Sequence, residues 1–420
     1  MQDKFLIKGG VPLNGEVEIF GYKNSAGACL AAVLLSKEPT IIDNLPLISD
    51  IMGQIKIMEL MGAKTEWLSE RRVKIEASNI DPKRIPTDLF EKMRVSVLLV
   101  GPLLARFKKI RIPHPGGDKI GLRPISTNIN ALKDLGVKVK EEGGFYDLEA
   151  PENLIGKRIV LKEFSVTATE VIMMLAASLK GITRIEMAAA EPQIQDLGNL
   201  LNQMGANVEG QGNHTVIIEG AQDLKGTEFK ICPDLLEAGT FMIAAALTKG
   251  NLRIKNVNPE HLPMFLAKMN EIGVNFLALE NEIIVKPALN EFSPVKIQTL
   301  PYPGFPTDLQ PQISVLLTQA KGKSLIHETL FENRFQYLQE LRKMGADIEI
   351  TDPHRALIFG KTKLIGNKLS SLDIRSDAAL VLAGLAAEGE TVIDNISQIE
   401  RGYEKIDEKL RKLGARIERV

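Results

Sequence analysis

The chain has 420 residues, 25% charged and 44% apolar, with 52 Lys and Arg against 53 Asp and Glu. That length suits two or three domains with more than one core. A formal net charge of −1 excludes a globally basic nucleic-acid binder, so any attraction for anions must be local.

Two cysteines far apart in sequence, Cys29 and Cys232, offer neither a disulfide framework nor a zinc cluster, which suits a reducing compartment. The first eight residues carry too short an apolar run for a signal peptide. The longest apolar stretch, residues 95–105, stops at Arg106 and is too short to span a bilayer. A soluble, cytoplasmic protein without a membrane partner is expected.

In chain order, residues 5–8 and 13–19 read as two strands closed by glycines, and an apolar helix follows the junction Gly21-Tyr22-Lys23-Asn24-Ser25. A second, amphipathic helix then ends at Met61-Gly62-Ala63, and an alternating strand, a turn and another strand complete the unit. The same series recurs, closing each time on a Gly signature at Gly136, Gly205, Gly273, Gly345 and Gly414. The glycines are 74, 69, 68, 72 and 69 residues apart, each expected to supply a left-handed helix cap. Any one glycine is an ordinary cap; the information is in the period.

Units of about 70 residues are too long for a solenoid repeat and too short for a comfortable domain, so three per domain is the natural grouping. After Gly414 only one strand remains, residues 415–420, whereas residues 5–9 and 13–19 match residues 216–220 and 224–230. The N-terminus should therefore supply the strand that the last unit lacks. This predicts domain 1 as residues 22–229, with a loop at 113–123, and domain 2 as residues 1–21 plus 230–420. Two linkers, near 21 and 230, would then form a hinge suited to closure over a ligand.

Each unit has an equivalent junction where a strand hands over to the apolar helix. Ser165 and Asp234 read there as N-caps. Lys23, Arg94 and Arg375 are less ordinary, because a cation at a helix N-terminus is disfavoured by a few tenths of a kcal/mol to ~1 kcal/mol. Three such cases at equivalent positions point to a bound anion, since helix N-termini already present free N–H groups. The segment from Pro113 to Arg123 places three glycines among charged residues, as a movable lid would. Phe331-Glu332-Asn333-Arg334-Phe335 sets a charged pair between aromatic residues at a helix start, and Arg401-Gly402-Tyr403 holds the corresponding place in the last unit. None of the five histidines lies in a metal-binding spacing, and no phosphate-binding glycine loop follows a strand. No metal or nucleotide cofactor is expected.

Together these residues resemble the enolpyruvyl transferases over essentially the whole chain. The specific pieces are Gly21-Tyr22-Lys23-Asn24, Met93-Arg94, the run from Pro115 to Pro124, Phe305-Pro306-Thr307-Asp308, the Phe331 segment and Arg401-Gly402-Tyr403-Glu404. The resemblance implies a two-domain inside-out α/β barrel, with helices inside, sheets outside and three units per domain. It implies joining phosphoenolpyruvate to the 3′-hydroxyl of UDP-N-acetylglucosamine with release of phosphate, through a tetrahedral intermediate, the reaction that opens peptidoglycan synthesis. It assigns Asp308 as base and Asp118 as the proton donor on the lid. Lys23, Arg123, Arg334, Arg375 and Arg401 fall where the family grips phosphoenolpyruvate. Asn24, Arg94, Pro124, Ser165, Val166 and Leu330 fall where it contacts the sugar nucleotide.

Most members carry cysteine where this chain has Asp118. A carboxylic acid can still donate a proton if its pKa is raised in the closed complex. It is a poorer nucleophile than a thiolate, which implies resistance to the epoxide fosfomycin. Ser126, Glu163 and Thr167 also depart from the family around the uridine. The alternatives are the sister enzyme acting on shikimate 3-phosphate and a non-catalytic repeat protein that binds anions. The first is opposed by the Pro-Gly-Gly lid, and the second would have no need of Asp308.

Overall fold

The computed structural model describes residues 3–117, 121 and 125–420; the expectations for Asp118, Arg123 and Pro124 lie outside the described residues. The chain forms two compact units: one of residues 3–20 with Pro233–Val420, the other of Gly21–Gly117 with residues 125–232. The second crossing falls at Cys232–Pro233, three residues beyond the expected 229/230 boundary. Ile231 still donates its amide to Asp43 O (3.1 Å), and Cys232 O accepts from Tyr22 N (2.8 Å).

Both units are built alike. Helices such as Val166–Ala176, Leu235–Leu247, Gln310–Leu317 and Ile374–Ala386 are buried along almost their whole length. A helix apolar on every face has to be enclosed, and here it is. The strands alternate, with one face against the helices and one toward solvent, as in the exposed–buried pattern of Ile182–Glu186. Helices therefore lie inside and sheets outside within each unit, an inside-out α/β arrangement.

Among the described residues each unit contains three sheets. In five of the six, one strand pairs in parallel with a second, which then continues into an antiparallel pair. The sheet of Lys109–Pro113, Lys138–Glu142 and Phe145–Glu149 has three strands among the described residues. The N-terminal strand Lys4–Lys8 lies between Glu390–Asp394 and Arg416–Arg419, antiparallel to both. It fills the place left by the missing strand of the last unit. The next strand, Asn14–Glu18, runs parallel to Asn251–Lys255. All six signature glycines have left-handed φ, from +92° at Gly273 to +117° at Gly136. No helix among the described residues is long and apolar enough to cross a membrane.

Candidate active site

In the unit containing the C-terminus, three elements converge on Asp308. Pro306 precedes the short 3-10 turn Thr307–Leu309, which runs into the helix Gln310–Leu317 and leaves the Asp308 carboxylate partly exposed. Arg334 lies two residues before the helix Gln336–Lys343, and its Nη2 donates to Asp308 Oδ1 at 3.0 Å. Arg375 is the second residue of the helix Ile374–Ala386, and its Nε donates to Asp308 Oδ2 at 3.2 Å. That helix is capped by Asp373, whose Oδ1 accepts from the amides of Arg375 and Ser376.

Aromatic rings support both guanidinium groups. Arg334 lies over the Phe331 ring at 5.8 Å and Arg375 over Tyr403 at 5.2 Å. Tyr403 is itself fixed, its hydroxyl bonded to Thr240 Oγ1 (3.0 Å) and accepting from Gln312 Nε2 (3.0 Å). Burial works to lower the pKa of Arg334, but Asp308, Asp373 and Glu328 outweigh it and hold the guanidinium above its ordinary value. Its buried Nε finds no hydrogen-bond partner among the described residues, a donor that suits an anionic ligand. Arg401 closes the 3-10 turn Ile396–Arg401, with Nη1 donating to Gln398 Oε1 at 2.9 Å. Leu330 is exposed, and its amide donates to Glu328 Oε1 at 2.9 Å.

The other unit carries the remaining described positions. Lys23 opens the helix Lys23–Ala32, and its Nζ pairs with Asp50 Oδ2 at 2.7 Å, both side chains mostly buried. Asn24 Nδ2 donates to the Tyr22 hydroxyl (2.9 Å), and Arg94 opens the 3-10 turn Arg94–Leu99. Ser165 caps the helix Val166–Ala176 by accepting from Ala168 N at 3.3 Å, with partly buried Val166 following it. Two of the departing residues have settled into bonds of their own: Glu163 accepts from Thr127 Oγ1, and Thr167 bonds Asn128 at 3.3 Å.

The structure thus brings Asp308, Arg334 and Arg375 together and adds a feature that the sequence reading lacked. Cations at helix N-termini suggest a bound anion, yet Lys23 and Arg375 each face a carboxylate of the protein, Asp50 and Asp308. The reason is electrostatic: a cation placed against the positive end of a helix and removed from water needs a counter-charge. Asp50 and Glu328 had no signal in the sequence, because a lone carboxylate has no motif and each acts across a loop. Among the described residues, no group of three or more His, Cys, Asp and Glu side chains could hold a metal ion.

Residues 7–410 match the family model described as EPSP synthase (3-phosphoshikimate 1-carboxyvinyltransferase). The chain is 45% identical, over the full length of both proteins, to UDP-N-acetylglucosamine 1-carboxyvinyltransferase 1 of Caldanaerobacter subterraneus subsp. tengcongensis. Among solved structures it resembles the enolpyruvyl transferase NikO from Streptomyces tendae, at TM-score 0.90 and 26% identity over 100% of this chain and 99% of that one. It shares its fold with EPSP synthase from Acinetobacter baumannii, at TM-score 0.76 and 18% identity over 100% of both chains. The chain belongs to the enolpyruvyl transferase family.

Proposed function

We propose that this enzyme transfers the enolpyruvyl group of phosphoenolpyruvate to the 3′-hydroxyl of UDP-N-acetylglucosamine and releases phosphate. The acceptor follows the relatives that align end to end with this chain and carry that substrate in their name. The family model bears the name of the sister activity, but the EPSP synthase from Acinetobacter baumannii shares only 18% identity with this chain.

The observation that carries the reading is the Asp308 carboxylate held by two buried arginines. In the proposed reaction Asp308 takes the proton of the sugar hydroxyl while that oxygen bonds to C2 of the enol. Asp118 gives a proton to the methylene carbon, forming the tetrahedral intermediate. The Asp118 carboxylate then takes a proton back from that carbon as the C2–O bond to phosphate breaks, which restores the double bond and releases phosphate. Lys23, Arg123, Arg334, Arg375 and Arg401 neutralise the carboxylate and phosphate of phosphoenolpyruvate, each charge-assisted hydrogen bond contributing roughly 1.5–3 kcal/mol. Asn24, Arg94, Pro124, Ser165, Val166 and Leu330 hold the sugar nucleotide. General-base catalysis of this kind contributes about 10²–10⁴-fold, so Asp308→Ala should lose at least that much.

Phosphate release from phosphoenolpyruvate, measured in parallel with UDP-N-acetylglucosamine and with shikimate 3-phosphate, tests the assignment. Release with the sugar nucleotide alone is expected. Release with shikimate 3-phosphate alone would transfer the chain to the sister activity.

A further inference from the structure

Glu328 is completely buried, one residue beyond the strand Gly322–His327. Its carboxylate accepts three hydrogen bonds, from the stretch after the strand Lys296–Gln298 and from its own stretch. Oε1 accepts from Thr299 Oγ1 (2.9 Å) and from the Leu330 amide (2.9 Å), and Oε2 accepts from Thr307 Oγ1 (2.7 Å). Thr299 follows the partner strand Lys296–Gln298, and its Oγ1 in turn accepts from Thr329 N at 2.9 Å. The backbone of Glu328 is pinned as well: its N–H donates to His354 O (2.8 Å), and its carbonyl meets His354 Nδ1 at 2.7 Å.

The three donors are not scattered. Thr307 is the residue before Asp308 and opens its 3-10 turn. Leu330 opens the stretch that delivers Arg334, and Thr299 fixes the strand end from which both stretches depart. A buried carboxylate is costly unless its lone pairs are filled, so its donors are held as tightly as it holds them. The Glu328 charge also helps keep Arg334 above its ordinary pKa.

We infer that Glu328 is a positioning residue for the transfer: through Thr307 and Leu330 it sets the separation of Asp308 from Arg334, acting on the reaction without touching substrate. This rests on the function proposed above. A misplacement of about 1 Å at a reacting group can cost as much as 10²-fold in rate, so loss of the clamp should appear in kcat.

The test compares Thr307→Val, which keeps the shape but removes the donor, with Thr307→Ser, which restores it, and with Glu328→Gln. Thr307→Val, which acts through the Asp308 turn alone, is expected to lower kcat about tenfold or more, with KM for both substrates within about twofold of the parent. Glu328→Gln, which also releases the Leu330 stretch, should lower kcat and raise KM. Thr307→Ser should recover most of the loss, and all three should still unfold cooperatively, Thr307→Val and Glu328→Gln at a somewhat lower temperature than the parent. Parent-like kcat in Thr307→Val, or a Thr307→Ser as impaired as Thr307→Val, would overturn the inference. A parent enzyme that releases no phosphate with UDP-N-acetylglucosamine would instead sink the substrate assignment. The clamp would then be judged on a crystal structure of Thr307→Val, in which an undisturbed Asp308–Arg334 contact refutes it.

Discussion

In the helix Val166–Ala176, Glu170 is almost wholly buried, and burial first, then the nearby charge of Glu191, push its pKa well above 4.5. In the unfolded chain the same carboxyl titrates at its ordinary value. Between the two values the native protein holds a proton that the unfolded chain has lost, so stability falls as pH rises above about 4.5 and levels off only beyond the folded value. Glu170→Gln removes that titration. Its melting temperature is expected to exceed the parent's at pH 7–8, with the gap closing toward pH 4; a gap independent of pH would show that burial does not keep the group protonated. At this scale the sequence was legible for residues that carry a family pattern, such as Asp308 and Arg334. It was silent on Glu170, Asp50 and Glu328, whose roles arise only when distant elements pack. Even for Arg334 the motif did not reveal the partner, since Asp308 lies 26 residues away.

The helix Ile374–Ala386 shows how an element aims the Arg375 side chain at Asp308. Asp373 fixes its first turn, and the turn Ile396–Arg401 packs beside it. Gly402 permits that packing: a Cβ there would lie 2.4 Å from Ile374 Cγ2 and 3.7 Å from Arg375 Nη1. Ile374 is β-branched and stiff at χ1, so it cannot swing aside cheaply. Overpacking of this kind costs about 1–3 kcal/mol, and the strain would fall on the turn that presents Arg375. Gly402→Ala should therefore lower kcat/KM for phosphoenolpyruvate more than it lowers the melting temperature. A variant with parent kinetics would mean that the helix start is not set by this contact. Elements of this kind were legible where local chemistry decides them. The six glycine caps and the Ser165 and Asp234 N-caps need only neighbouring residues. The Gly402 contact joins two stretches 28 positions apart and leaves no periodic trace.

Across the whole chain, near-constant glycine spacing and the match of residues 5–19 to 216–230 pointed to three-unit domains and to a borrowed strand. The pairing of Lys4–Lys8 has a consequence for folding. One unit contains the uninterrupted stretch 125–232 together with Gly21–Gly117, whereas the other joins residues 3–20 to Pro233–Val420. Without residues 3–20, the sheet containing Glu390–Asp394 and Arg416–Arg419 loses its central strand, and the buried side chains of Phe5 and Ile7 with it. Each such side chain contributes about 1.5–3 kcal/mol on burial, Arg416–Arg419 would lose its ladder, and Glu390–Asp394 would keep only its pairing with Lys368–Ser370. Lys4 and Val420 already exchange two backbone hydrogen bonds, N to O at 2.9 and 3.0 Å, so a short turn could join the ends. Residues 21–232 expressed alone should unfold cooperatively, and residues 233–420 alone should not. Residues 233–420 continued through a short turn into residues 3–20 should regain cooperative unfolding by circular dichroism, with amide protection in the Lys4–Lys8 strand. If residues 233–420 alone melt as sharply and as high as the rejoined chain, the N-terminal strand is an accessory to that sheet and not its missing member.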